Sequence, residues 1–85
     1  MTYRVVLSRQ ATRYFASVPV PLARRLAEVL KALESETHPP GAKPLKAEWK
    51  GLFRIRVGNV RMIYEPREDI GEIRVVKIGP RGDVY

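Results

Sequence analysis

The chain has 85 residues, no cysteine and a single histidine, and its 16 Lys and Arg against 9 Asp and Glu give a formal net charge of +7. That length fits one domain spanning residues 1–85, with a core in which every amphipathic element must take part. The composition excludes disulfides, cysteine-ligated metals, thiol chemistry and a histidine cluster, so neither a metal site nor a cofactor is expected. No apolar run approaches the roughly 20 residues of a membrane span, and the N-terminus is too short and polar-bounded for a signal peptide, so a cytoplasmic location without membrane contact is expected.

Taken in chain order, Tyr3 to Leu7 reads as a Val-rich strand. Ser8 follows as the N-cap of a short helix through Ala16 or Ser17, with Ala11, Phe15 and Val18 on one side. Pro19 and Pro21 break the chain and pre-set a second helix, where Leu22, Leu26, Val29, Leu30 and Leu33 recur at helical spacing up to an end near Glu36. His38-Pro39-Pro40-Gly41 opens a connection over residues 37–49 with some extended character.

The stretch Phe53-Arg54-Ile55-Arg56-Val57-Gly58-Asn59-Val60-Arg61-Met62-Ile63-Tyr64 alternates apolar and basic on both sides of Gly-Asn, the signature of a hairpin with a two-residue turn. It begins near Lys50 or Gly51 and ends near Glu65. Its register sets Arg56 opposite Arg61, Ile55 opposite Met62, Arg54 opposite Ile63 and Phe53 opposite Tyr64. Phe53, Ile55, Val57, Val60, Met62 and Tyr64 then share a core face, and Arg54, Arg56 and Arg61 gather on the other. Residues 66–71 form a polar turn, and Glu72 to Ile78 is a last strand whose apolar residues fall on both parities, as in a central strand. The order β-α-α-β-β-β predicts an α+β domain, a two-helix hairpin on one face of a four-stranded, largely antiparallel sheet whose other face is open and arginine-lined.

A domain of pI above 9 with grouped basic residues carries the electrostatic footprint of a nucleic-acid binder, and arginine grips phosphate bidentately where lysine acts as a point charge. Taken alone, Arg54 and Arg56 would read as a solvated strand face. Their alignment with Arg61 argues for an anionic ligand, because like charges directly opposite destabilise a sheet. Trp49, Phe53 and Tyr64 read as core and not as base-stacking groups, and His38 in its proline loop reads as inert. Glu28, Glu34 and Glu36 have the spacing of a solvated helix face, not of a carboxylate pair.

The element order, together with Leu45-Lys46, the hairpin words and the tail Ile78-Gly79-Pro80-Arg81-Gly82-Asp83-Val84-Tyr85, resembles the RelE/ParE superfamily of toxin-antitoxin toxins over nearly the whole chain. The resemblance implies a RelE-like fold and a toxin held by a cognate antitoxin that is acidic, partly disordered and RelB-like. RelE-like members cleave messenger RNA on the ribosome, whereas ParE-like members poison DNA gyrase. Carried over by position, Arg61, Arg81 and Tyr85 match the catalytic positions of the ribonuclease branch. Arg54 and Arg56, with Lys46 and Lys50 ahead of them, would bind RNA phosphate. Pro80, where many relatives have His or Lys, and the end at Tyr85 depart from the pattern.

In such a metal-independent endoribonuclease the ribose 2′-OH attacks the scissile phosphate, and the chemical burden is largely electrostatic. Arginine stays protonated, so Arg81 is better suited to stabilising the leaving oxyanion than to acting as an acid. Tyr85 is the tail residue that could serve as base, although a free phenol titrates near 10. The expectation is therefore an mRNA-cleaving toxin, with gyrase inhibition or RNA binding without chemistry as the alternatives.

Overall fold

A computed structural model describes residues 2–80. The elements run β1 (Arg4–Leu7), α1 (Arg9–Ser17), α2 (Val20–Leu33), β2 (Lys43–Pro44), β3 (Phe53–Val57), β4 (Val60–Arg67) and β5 (Glu72–Pro80). Short 3-10 turns cover Ala47–Trp49 and Glu68–Ile70. The strands form one five-stranded sheet in the order β1-β5-β4-β3-β2, with β1 parallel to β5 and every other pairing antiparallel.

Ser8 caps α1 as the sequence implies, its hydroxyl accepting the Ala11 N–H at 3.1 Å. Ala11 is buried, with Phe15 and Val18 packed against the same core. In α2, Leu26 and Leu33 are buried and Leu22, Val29 and Leu30 line the same cluster. The helix stops at Leu33, short of the expected Glu36. Its last turn tightens where Glu34 N–H reaches Lys31 O and Ser35 N–H reaches Ala32 O, and the Glu34 carbonyl accepts Tyr3 N–H instead of continuing the helix. The two helices cover the sheet face that carries Ile55, Val57, Val60, Met62, Tyr64, Ile73, Val75 and Ile78, all 4 % exposed or less.

The hairpin register agrees with the alternation at every pair from Val57 opposite Val60 to Phe53 opposite Tyr64. Gly58 adopts φ +61, the left-handed conformation that a two-residue turn of this kind demands. The Arg25 guanidinium of α2 lies over this turn, 3.1 Å from where a Gly58 Cβ would sit.

Three local differences have physical causes. The sheet gains a fifth strand because Lys43 and Pro44 pair with Arg54 and Phe53, and Pro44, lacking an N–H, keeps that edge strand to two residues. Strand β3 starts only at Phe53, because Leu52 N–H still bonds Trp49 O and Gly51 holds φ +94 in the preceding turn. Strand β4 runs past Glu65 to Arg67 and admits Pro66 because β3 ends its pairing at Phe53, leaving that side of β4 without a paired strand among the described residues.

Tyr64 is fully buried and its hydroxyl donates to Thr37 O at 2.7 Å, while burial pushes its pKa up to about 12. Phe53 stacks on Tyr64 with ring centroids 5.8 Å apart, and His38 meets Phe53 edge-on at 4.5 Å. His38 thus helps fix the connection after α2 instead of standing idle. At the β1 side, Glu72 is buried and accepts from Arg74 at 2.7 Å and from Arg4. The hydrogen bond from Arg74 and then that from Arg4 hold its carboxyl below the usual range.

Two measurements check these features. Gly58→Ala forces an L side chain into the left-handed turn, and denaturant unfolding is expected to show a loss of about 1–2 kcal/mol. The stabilisation linked to the depressed Glu72 carboxyl is complete above the ordinary carboxylate range and is lost as pH falls through its lowered value. Glu72→Gln is therefore expected to flatten the acid limb of the stability profile below about pH 4.

Candidate nucleic-acid interface

Strand alternation and register place Lys43, Arg54, Arg56, Arg61, Ile63 and Lys77 on the sheet face that the helices leave uncovered. Arg56 and Arg61 are direct cross-strand partners, a position in which Cβ atoms lie about 4.5–5.5 Å apart. Arg54 pairs with Lys43 on one side and Ile63 on the other, and Ile63 pairs with Lys77. Gly79, opposite Arg61, adds no side chain on that flank. None of these registered positions holds a carboxylate among the described residues.

Ile63 is only 2 % exposed although it lies on this face, and it stands outside the helix-covered core cluster. Its registered neighbours on this face are Arg54 and Lys77, side chains of the kind whose aliphatic stems cover apolar surface while the charged ends stay near water. The open face is therefore cationic but not bare, a feature the sequence pattern does not announce. Arg54 and Arg61 are correspondingly half-buried, and Arg56, Lys43 and Lys77 are exposed.

The same face changes character toward β1. Glu65 pairs with Arg74, Arg67 with Glu72, and Arg4 with Glu72, so carboxylates and guanidinium groups alternate there. Among the registered positions of the described residues, charge of a single sign is concentrated at the hairpin end. Lys46, expected to contact RNA, lines a groove of about 360 Å³ with Pro44, Leu45, Trp49 and Arg54. Trp49 is 38 % exposed there, not the core residue that the sequence suggested. Lys50 is exposed just after the Ala47–Trp49 turn and is not among the residues lining that groove.

Strand β5 is central, but its mixed parity has a more local origin. Ile63 pairs with Lys77 and Tyr64 with Val75, so Val76 is an extra residue, a bulge that exposes both Val76 and Lys77. The bulge explains why Lys77 does not stand out in the sequence as a member of the basic face. Strand β1 ends at Leu7, before β5 does, and the side chains of Ser8, the cap of α1, and Gln10 in its first turn take over the hydrogen bonding. Ser8 donates to Val76 O at 2.8 Å, while the Gln10 amide accepts Ile78 N–H at 2.9 Å and donates to Ile78 O. Pairing of Gly79 with Arg61 and Pro80 with Val60 keeps the end of β5 beside the hairpin turn. Arg81 and Tyr85, the tail positions assigned catalytic roles, lie outside the described residues.

The sequence matches a family model described as the ParE toxin of type II toxin-antitoxin systems, parDE, over residues 5–85. The fold superposes on the archaeal RelE–RelB complex structure from Pyrococcus horikoshii with a TM-score of 0.80 and 31 % identity, covering 98 % of this chain and 99 % of that one. The chain belongs to the RelE/ParE superfamily of toxin-antitoxin toxins. The toxin also shares its fold with the Mycobacterium tuberculosis RelBE2 toxin-antitoxin complex, at TM-score 0.82 and 23 % identity over 95 % of this chain and 100 % of that one. A mutant of the Escherichia coli toxin RelE in the free state gives 0.79 and 14 % over 96 % of this chain and 86 % of the other. Comparison with curated proteins gives no match. No helix among the described residues of the toxin is long and apolar enough to cross a membrane.

The Gln10 clamp gives a direct check on how the toxin holds the end of β5. Gln10→Ala removes the acceptor for Ile78 N–H, and hydrogen exchange is expected to accelerate about tenfold or more at Ile78 while Met62 and Tyr64 amides keep their rates. Equal rates at Ile78 in both proteins would show that the amide contributes nothing to holding the strand end.

Proposed function

We propose that the toxin is an endoribonuclease of the RelE-like branch, cleaving messenger RNA on the ribosome and so stopping translation. The observation that carries this reading is the facing pair Arg56 and Arg61, flanked by Arg54 and Lys77, on the sheet face that the helices leave uncovered. A scissile phosphate seated there would meet several guanidinium donors at once. In the reaction the 2′-oxygen loses its proton, forms a bond to phosphorus, and the bond to the 5′-oxygen breaks. The 5′-oxygen takes up a proton, leaving a 2′,3′-cyclic phosphate and a free 5′-hydroxyl.

Arg61 is assigned to the phosphate, where negative charge builds up on the equatorial oxygens in the transition state. Arg54 and Arg56, with Lys46 and Lys50 farther along the strand path, hold the flanking phosphates and fix the line of attack. Arg81 is assigned to the leaving 5′-oxygen and Tyr85 to the 2′-hydroxyl proton. Arg81 follows Pro80 directly in sequence, and Pro80 is paired with Val60 at the hairpin turn.

The match to the ParE family model supports a second reading, inhibition of DNA gyrase by binding. Under it the cationic face would engage protein or DNA without cleaving RNA. In either reading a cognate antitoxin is assigned to this chain, acidic, partly disordered and RelB-like, folding on a chain whose formal net charge is +7. The RelE–RelB complex from P. horikoshii is the precedent for that pairing.

Induction of the toxin in bacteria followed by mapping of RNA 5′ ends tests the choice. Cuts in phase with codons are expected, and Arg61→Ala and Arg81→Ala are each expected to slow cleavage by about 10²-fold or more, the usual scale for losing one preorganised donor. Growth arrest without such cuts, or with DNA breaks and gyrase co-purifying, would transfer the assignment to the second reading.

A further inference from the structure

The groove beside Arg54 lies at the margin of the arginine cluster and has a different chemistry. Pro44 and Leu45 supply apolar walls, Trp49, a residue 38 % exposed, supplies an indole, and Lys46 and Arg54 supply the cations. Its volume is about 360 Å³. The backbone of this wall is built, not loose: Leu45 N–H bonds Leu52 O at 2.9 Å, and Trp49 N–H bonds Lys46 O at 3.1 Å. The indole is thus carried on a closed turn whose base is tied to the start of β3.

We propose that this groove is a nucleobase subsite, in which one unpaired base of the RNA strand stacks on Trp49 while Arg54 and Lys46 hold the phosphate joined to that nucleotide. This rests on the reading that the arginine face binds RNA, and it extends that surface by one nucleotide. Arg54 belongs to both regions, since it lines the groove and stands opposite Ile63 on the sheet face. Arg54 and Arg56 are two places apart on one strand, about 6.5–7 Å along it, a step that adjacent phosphates of an extended strand can follow. A base whose phosphate sits on Arg54 therefore lies next to the phosphate held by Arg56 and Arg61.

The occupant follows from the lining. Aromatic faces bordered by Lys and Arg suit a flat base attached to an anionic backbone, and stacking of this kind tolerates any base. An acidic protein segment would satisfy the cations but has no general use for the indole face. The subsite would therefore strengthen and align RNA binding without dictating sequence.

Trp49 is the chain's sole tryptophan, so its emission reports on the groove directly. The toxin is titrated at low salt with a 2′-O-methyl RNA hexamer, which cannot be cleaved, and with an abasic ribose-phosphate strand of equal length. A fluorescent end label gives binding of each strand independently by anisotropy. The hexamer is expected to quench Trp49 and the abasic strand to bind more weakly without quenching it. Trp49→Ala is expected to weaken hexamer binding about 5- to 150-fold, the range for losing one stacked base, and Trp49→Phe to restore most of it.

A hexamer that binds while leaving the emission unchanged would overturn the subsite and spare the RNA-binding reading. So would equal quenching by the abasic strand, or a Trp49→Ala protein that binds the hexamer as well as the wild type. Loss of antitoxin capture by Trp49→Ala with hexamer affinity intact would assign the groove to the protein partner and overturn the proposal in that way. Failure of both strands to bind would remove the RNA-binding reading and the subsite together.

Discussion

The two-residue turn at Gly58 and Asn59 fixes which side of the hairpin meets the helices, and most of the molecule follows from it. A slip of β3 by one residue would move Ile55 and Val57 into water and turn Arg54 and Arg56 toward Leu26 and Leu33. Burying those guanidinium groups without partners would cost several kcal/mol each, which strongly disfavours the alternative register. The apolar core and the cationic face are therefore one choice seen from two sides. Arg25, reaching over the turn from α2, adds another charge near the hairpin tip.

The second constraint lies where β1 runs out. A strand end in a sheet ordinarily frays, yet Ile78 is held by Gln10 on one side and by Met62 on the other, with Val76 bonded to Ser8. The Val76 bulge changes the parity of β5 between the two halves of its length, so Ile73, Val75 and Ile78 all face the core while Lys77 turns outward beside Ile63. One irregularity thus completes the core and adds a cation to the interface. Ser8 combines two tasks here, since capping α1 and bonding β5 use the same hydroxyl.

Much of this was legible in the sequence where one period ruled an element. The alternation around Gly58-Asn59 specified every hairpin pair, and the spacing of Leu22, Leu26, Val29, Leu30 and Leu33 specified the buried stripe of α2. What escaped depended on tertiary context. Lys77 was hidden by a bulge that no local pattern announces, and Lys43 by a two-residue strand that exists only because β3 offers an edge. Hydrophobicity alone assigns Trp49 to the core, but its 3-10 turn faces the Lys46 and Arg54 side of the sheet. Arg54, Arg56 and Arg61 were found because strand parity is a local property, whereas their relation to Arg81 and Tyr85 depends on residues beyond the described part of the chain.

Ile63 sets a buried apolar side chain between Arg54 and Lys77 in the register of the cationic face. A long side chain that must be ordered to bind phosphate loses about 0.5–1.5 kcal/mol of rotamer freedom at the moment of binding. Arg54 is half-buried and stands opposite a side chain that is 2 % exposed, so part of its ordering already occurs on folding. Hydrophobic burial at Ile63 thus offsets some of the like-charge repulsion between neighbouring cations. Repulsion and burial together favour a surface that is settled in shape while still strongly cationic, and an incoming polyanion completes it with little further ordering of the protein.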